Sequence, residues 1–242
     1  MTTAVEQESP AEAPSTESPY ALLFNLEGIA GSERQATYEV LVSVLGEQGL
    51  KLSPALMSRF CLGSAPESYL DDLLATLNAS KQNANKLAED VRSGIAMKLS
   101  GRSASLADGL MKILKTARDA GVRLAALSGL PQATATTLLE SLGLGNLGVE
   151  LKVMNHDNDE QFPRADGWLK LARSLSRTSY DCTVLAGSQN DAKSAVSAGM
   201  RCIAVPDAFT SFQDFSGANL IIDDLGEMDI SAVNAIVIPT DD

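Results

Sequence analysis

The sequence has few of the residues on which several common activities depend. It contains one histidine, His156, and three widely separated cysteines, Cys61, Cys182 and Cys202. A single histidine allows only one centre for a serine–histidine–aspartate triad, and nothing in the sequence places it beside a serine turn. An odd number of distant cysteines is typical of reduced, buried thiols rather than of disulfides or a zinc site. We therefore predict a cytoplasmic protein.

Long apolar runs and clusters of basic residues are also missing. No stretch approaches the ~20 apolar residues of a transmembrane helix, and we expect no secretory signal because the amino terminus lacks a basic region followed by an apolar one. Residues 1–19 and 202–242 contain no Lys or Arg, and their twelve acidic residues equal the net charge of −12. Nucleic-acid binding requires a basic surface. We therefore expect neither a nucleic acid nor a membrane as partner.

The first 19 residues are rich in Pro, Glu, Ser, Thr and Ala, with Val5 as the single large aliphatic residue after Met1. Such a segment buries too little apolar surface to offset the entropy lost on ordering. We predict that residues 1–19 form a disordered acidic tail.

From residue 20 onward, short apolar runs alternate with segments of helical periodicity. The run Ala21 to Phe24 ends in polar residues and Gly28, which is typical of a strand buried on both faces. Further strands are predicted near 122–127, 149–154, 182–186, 202–205 and 219–222, with helices between them. This alternation predicts an α/β fold: a Rossmann-like, mostly parallel sheet with helices on both faces.

Residues 34–103 contain helical patterns and no convincing strand. Ser53 and Pro54 provide a helix cap and a first helical residue within this block. We predict an inserted α-helical cap subdomain over 34–103, with the α/β core formed by 20–33 and 104–242.

One motif is misleading. Residues 143–148, GLGNLG, match the G-x-G-x-x-G pattern of dinucleotide-binding loops. That loop must follow a strand and open a helix, so that the helix amino terminus meets the pyrophosphate. Here the motif follows a predicted helix and leads into a strand, which argues against nucleotide binding.

Polar residues follow three of the predicted strands. Asn25 and Glu27 follow the first, Ser128 and Gly129 the second, and residues 187–191 a later one. The carboxyl ends of parallel strands meet at one edge of a sheet, where ligands bind. Asn25 and Glu27 would point the same way if the chain stays extended through Glu27. The alternative is that both residues only stabilise local turns.

The segments FNLEG, LAALSGLP and VLAGSQNDAKSAVSAGMRCIAV, together with the helical insertion, resemble the haloacid dehalogenase (HAD) superfamily. The likeness covers about residues 20–230 and is to the phosphoglycolate-phosphatase and β-phosphoglucomutase-like branch. The resemblance implies a nucleophilic aspartate at the position of Asn25 and an acid–base aspartate at Glu27. It also implies that Ser128 holds the phosphoryl oxygens.

The same resemblance implies a lysine at the position of Phe162 and an acidic Mg²⁺ ligand at Gly187, supported by Asp191. The catalytic motifs are therefore degenerate at Asn25, Glu27, Phe162 and Gly187. Arg164, two residues beyond Phe162, is a candidate to replace the lysine. No cofactor is expected, apart from weak Mg²⁺ binding by Glu27 and Asp191.

A carboxamide at position 25 cannot form an acyl-phosphate. We therefore lean against an enzyme and predict a catalytically impaired pseudo-phosphatase that binds a small phosphorylated ligand or anion, or a protein partner. Asn25, Ser128 and Gly129 are the predicted phosphate contacts. The alternative is an active phosphatase or phosphomutase-like hydrolase that acts on a small phosphorylated metabolite through a non-standard site.

Overall fold

The computed structural model describes residues 18–29, 32–61, 65–100, 106, 108–154 and 162–239. Most of the predicted acidic tail and the loop that contains His156 lie outside these residues. Within them, six strands form one parallel sheet in the order β3-β2-β1-β4-β5-β6. The strands are β1 (Ala21–Asn25), β2 (Arg123–Ser128), β3 (Glu150–Val153), β4 (Cys182–Ala186), β5 (Arg201–Ala204) and β6 (Leu220–Ile221).

Helices flank the sheet and form the segment between β1 and β2. They are α1 (Leu26–Ile29), α2 (Ser32–Gly46), α3 (Pro54–Phe60), α4 (Pro66–Thr76), α5 (Ala84–Ser100), α6 (Asp108–Asp119), α7 (Gln132–Ser141), α8 (Ala165–Ser174), α9 (Gln189–Ser197) and α10 (Ile230–Val237). Across the described ranges, no helix is both long and apolar enough to cross a membrane.

The central strand β1 is buried on both faces, which explains its unbroken apolar run. Leu22 and Phe24 pack into the hydrophobic cluster on one face, whereas Ala21 and Leu23 pack into the cluster on the other. Successive strand side chains point to opposite faces, so a strand covered by helices on both sides needs apolar residues throughout. The predicted α/β class is confirmed.

A third hydrophobic cluster joins α2, α3, α4 and α5, and includes Phe209 from the loop after β5. Ser53 caps α3 as predicted, since its Oγ accepts a hydrogen bond from the backbone N–H of Leu56 at 3.2 Å. Phe209 also contacts Tyr38 of α2, with ring centroids 5.2 Å apart and the ring planes tilted by 54°. This helical layer therefore contacts the core beyond the end of β5. The exact limits of the cap, 34–103, stay a prediction.

The glycine-rich segment 143–148 has the position that was predicted. It follows α7 and continues through a short 3₁₀ helix, Gly145–Leu147, before β3 begins at Glu150. Since no α-helix begins in this described segment, it lacks the helix amino terminus that a pyrophosphate would need.

Candidate active site at the carboxyl edge of the sheet

The chain turns into a helix directly after Asn25, the last residue of β1. The condition under which Asn25 and Glu27 would point the same way, an extended chain through Glu27, is therefore not met. Leu26 and Ile29, three residues apart, are both buried, and a helical turn places such residues on one side. Asn25 and Glu27 still lie at the carboxyl edge, but they contact different neighbouring strands.

Glu27 lies against the end of β2, in a group that we call the β2 side of the site: Glu27, Ser128, Gly129 and Leu130. The Ser128 hydroxyl donates a hydrogen bond to Glu27 Oε1, and the N–H of Leu130 lies 3.4 Å from the same oxygen. Glu27 Oε2 is buried and accepts no hydrogen bond from any described residue. Burial raises the pKa of Glu27, while hydrogen bonds from Ser128 and from the backbone of Leu130 and Gly129 oppose the rise. The predicted phosphate contacts Ser128 and Gly129 thus face a carboxylate of the chain itself.

Asn25 lies against the end of β4, in a group that we call the β4 side: Asn25, Gly187, Ser188, Asp191 and Arg34. Asn25 Nδ2 donates to Asp191 Oδ1 at 3.0 Å, and Ser188 Oγ lies 2.8 Å from Asp191 Oδ2. Asn25 Oδ1 is buried without a hydrogen bond among the described residues. Asp191 is almost fully buried, and this desolvation raises the pKa of its carboxyl group. The β4 side therefore joins an amide and a carboxyl group that have little contact with solvent.

Gly187 is enclosed by the backbone of the turn after β1. A Cβ atom built at position 187 would lie 2.2 Å from the carbonyl oxygen of Gly28 and 2.9 Å from Arg34 Nη2. Contacts this short do not occur in folded proteins, so position 187 admits only glycine unless the backbone moves. The acidic side chain that the resemblance implies at this position has no room in this structure.

Arg34 was missed by the sequence reasoning. It lies in the first turns of α2, and its Nη1 donates a hydrogen bond to the carbonyl oxygen of Gly187 at 2.8 Å. Its Nε lies 3.2 Å from Asp207 Oδ2. The sequence did contain a feature that could have identified Arg34: it is the first basic residue of the chain and follows Glu27 by seven positions.

The described residues do not form a ligand set for the Mg²⁺ that the resemblance implies. They contain no group of three His, Cys, Asp or Glu side chains that could hold a metal ion. Glu27 and Asp191, the two predicted ligands, have different hydrogen-bond partners, and a guanidinium group lies over Gly187. Mg²⁺ is usually bound through one or two carboxylates and retained water, and it would meet the positive charge of Arg34 here.

The predicted lysine position holds an apolar side chain. Phe162 packs against the hydrophobic cluster between the sheet and helices α8 and α9. Arg164 Nε lies 3.7 Å from an oxygen of Asp166, and both side chains are mostly exposed. Arg164 also lines a cavity of about 460 Å³ whose walls include neither Asn25 nor Glu27. At the position where the resemblance implies a lysine, the chain thus has an apolar side chain packed in the core, and the nearby Arg164 lies beside Asp166.

Comparisons with known proteins identify similar chains. No family model matches the sequence. The chain is 24% identical over 214 residues to the "Putative phosphatase YhcW" of Bacillus subtilis (strain 168), covering 87% of this chain and 94% of that protein.

Solved structures give the same picture. A HAD family hydrolase from Deinococcus radiodurans R1, solved with bound phosphate and sodium, matches with a TM-score of 0.70 and 21% identity, over 92% of this chain and 99% of the other. The β-phosphoglucomutase of Clostridium difficile matches with a TM-score of 0.66 and 14% identity, over 90% and 96%.

These relatives correct one of the sequence predictions. The inclination against an enzyme is wrong, since the similar proteins are named as a phosphatase, a hydrolase and a phosphomutase. The altered motifs had suggested lost activity because each residue of this chain was compared only with the residue that the resemblance implies at the same position. The resemblance is confirmed at the level of the fold: the chain has the α/β fold of this HAD family hydrolase and of this β-phosphoglucomutase.

Proposed function

We propose that the protein is a HAD-type phosphoric monoester hydrolase that acts on a small phosphorylated metabolite through a non-standard site. The observation that carries this proposal is the Glu27 carboxylate at the carboxyl edge of the sheet. One of its oxygens is held by Ser128, and the other is buried without a hydrogen bond from any described residue. An unpaired buried oxygen is costly, so its presence favours a role in the chemistry of a bound substrate.

The route that fits these residues is direct attack by water. Asn25 carries a carboxamide, which cannot form the phosphoryl-enzyme intermediate of a carboxylate nucleophile. In our proposal, Glu27 Oε2 accepts a proton from water as the water oxygen bonds to phosphorus. The phosphorus–oxygen bond to the alcohol breaks, and the leaving alkoxide takes a proton from solvent water as the product departs. Glu27 then returns the proton it accepted to solvent, so the products are the alcohol and inorganic phosphate. We favour hydrolysis over phosphomutation, because a mutase must hold the transferred phosphoryl group between two steps and Asn25 cannot hold it covalently.

The electrostatic environment suits Glu27 to this role. A general base works best when its pKa lies near the working pH, and burial raises the pKa of Glu27 in that direction. Asn25 Oδ1 offers a second unpaired acceptor for orienting the water. Both oxygens are shielded from solvent, so in this proposal substrate enters through a local movement of the site.

The experiment is a hydrolysis assay of the EDTA-treated protein with a panel of small phosphomonoesters. We expect turnover above background for wild type and a loss of about 10²- to 10⁴-fold for Glu27→Gln, the usual contribution of a general base. The matched control is Glu140→Gln, because Glu140 is an exposed residue of α7. Acid quenching with a ³²P-labelled substrate should trap no phosphoryl-enzyme.

Two outcomes would contradict the proposal. One is the absence of hydrolysis across the panel by folded wild-type protein. The other is full turnover by Glu27→Gln, which would place the base elsewhere.

We also propose that the protein works in the reducing cytoplasm. Its three cysteines are all free and buried. Burial raises the pKa of each thiol to about 12, so the reactive thiolate form is scarce. Buried, unpaired thiols are typical of such a compartment.

A further inference from the structure

We propose that Arg34 binds the phosphoryl group of the substrate, in the place of the divalent metal ion and the lysine that the family resemblance implies. This inference deepens the proposed function and rests on it. It adds that phosphate is bound without a metal ion, through the guanidinium group of a residue that closely follows the turn after β1.

The position of the guanidinium group is the first support. Arg34 Nη1 donates to the carbonyl oxygen of Gly187 at 2.8 Å, and Nη2 lies 2.9 Å from the position that a Cβ atom of Gly187 would occupy. The positive charge therefore lies over the end of β4. A metal-binding carboxylate would begin at this point if position 187 carried one.

The charges around the site are the second support. Arg34 is the cation whose field acts on the buried Asp191 carboxyl group, against the larger effect of desolvation. In the described part of the chain, Asn25, Glu27, Ser128 and Asp191 form no ion pair or hydrogen bond with a basic side chain. Arg34 is thus the positive charge that the described contacts hold at the β4 side, where it pairs with Asp207.

The hydrogen-bonding capacity of Arg34 is the third support. A guanidinium group has five N–H donors in a planar fork that matches two phosphate oxygens. Arg34 Nη1 donates to Gly187, whereas Nε pairs with Asp207 at 3.2 Å without making a hydrogen bond. Nη2 makes no hydrogen bond to a described residue, so it is the donor that the guanidinium group offers to phosphate. Asp207 holds the fork in place, since its other oxygen accepts a hydrogen bond from the N–H of Phe209 at 2.8 Å.

The lack of space for a side chain at Gly187 favours a bound guanidinium group over a metal ion. The guanidinium charge is permanent and needs no acidic ligand, whereas Mg²⁺ needs carboxylates to hold it. The loss of acidic groups at Asn25 and Gly187 is therefore consistent with a fixed cation, which an anion can approach with less repulsion.

The test is calorimetric titration of inorganic phosphate into EDTA-treated protein. We expect binding without metal, and less than a twofold change in affinity when 5 mM Mg²⁺ replaces EDTA. Arg34→Gln should weaken binding at least tenfold. Arg34→Lys should weaken it by about threefold, because an ammonium group keeps the charge but not the planar fork.

Arg123→Gln is the matched control. Arg123 also donates to a backbone carbonyl, that of Leu175 at 3.0 Å, and pairs with the acidic residue Glu150, but it lies at the amino end of β2. Its replacement should leave phosphate affinity unchanged within twofold. Melting temperatures of all variants show whether each is folded.

The inference is overturned if Arg34→Gln binds phosphate as wild type does, or if Mg²⁺ tightens binding to the wild type tenfold or more. The second result needs no variant, so it decides the matter even if Arg34→Gln fails to fold. Arg34-dependent phosphate binding without any phosphomonoester hydrolysis would support this inference and reject the hydrolase proposal. Hydrolysis that depends on Glu27 but not on Arg34 would do the opposite.

Discussion

The β2 and β4 sides of the site lie at the same edge of one sheet, yet they are built differently. On the β2 side, Glu27 presents an unpaired carboxylate oxygen beside Ser128. On the β4 side, Gly187 packs against the backbone of Gly28, and the guanidinium group of Arg34 lies over Gly187. One side keeps a group that can move a proton, whereas the other is closed and carries a fixed positive charge.

This difference indicates which requirement of phosphoryl transfer each side can meet. The chemistry is mostly positioning and charge stabilisation around the transferred group, with one residue to orient or activate the nucleophile. The β4 side provides the charge and the β2 side the proton acceptor in our proposal. Asn25 lies between them, since it follows β1 and donates to Asp191.

The closed packing of the β4 side gives the largest expected effect on stability. Gly187→Ala should lower the free energy of unfolding by about 3 kcal/mol, because the new Cβ would overlap the carbonyl oxygen of Gly28. Gly187→Asp should cost at least as much and should not create Mg²⁺ binding. Denaturant unfolding at neutral pH measures the first effect.

The control for Gly187→Ala is Gly46→Ala at the end of α2, where an added Cβ has no neighbour within 4 Å. This change should be neutral or stabilising by about 0.4–1 kcal/mol. A cost below about 1 kcal/mol for Gly187→Ala would show that the β4 side is open rather than closed.

Asn25, which lies between the β2 and β4 sides, gives the next largest expected effect, a change in phosphate affinity. Asn25→Asp would place a second carboxyl group about 3 Å from Asp191, close enough for like charges to repel. It should weaken binding of inorganic phosphate about tenfold, or about 1.4 kcal/mol. Titration calorimetry in EDTA measures this. Asn83→Asp adds the same charge at a distant helix cap and should change affinity less than twofold. Tighter metal-free binding by Asn25→Asp would refute the role given to this residue.

The smallest effect concerns the pH dependence of stability on the β2 side. Burial raises the folded-state pKa of Glu27 above its usual value of 4.5. At this residue the folded protein then binds more protons than the unfolded chain between the two pKa values, so the contribution of Glu27 to stability is highest below about pH 4.5 and is lost as pH rises through the folded pKa. Asp191 acts in the same direction.

Glu27→Gln should remove the contribution of this residue to the pH dependence, because a carboxamide does not titrate in this range. Each tenfold difference in proton affinity between the folded and unfolded protein corresponds to about 1.4 kcal/mol of stability. Urea unfolding between pH 4.5 and 8 should give a flatter stability profile for the variant than for wild type. Identical slopes would mean that folding does not raise the pKa of Glu27.

Much of the architecture was predictable from local sequence pattern. The apolar run from Ala21 to Phe24 and the alternation of short apolar runs with helical segments identify a parallel sheet, because period and burial follow directly from residue order. The same order places Asn25, Ser128 and Asp191 at one edge, since parallel strands end together. The conclusion drawn from the altered residues was wrong, because a changed motif does not reveal what replaces it.

The sequence by itself therefore determined the fold class and the edge of the sheet at which the candidate site residues meet. Only the tertiary structure decided how the site is completed. Ser128 meets Glu27 across 101 residues, and Arg34 meets Gly187 across 153. Such contacts depend on the register of the whole sheet and on the helical turn after β1, which local periodicity does not specify. The close approach of Gly28 to Gly187 fills the space where the resemblance implies an acidic side chain, and it exists only once β1 and β4 are paired.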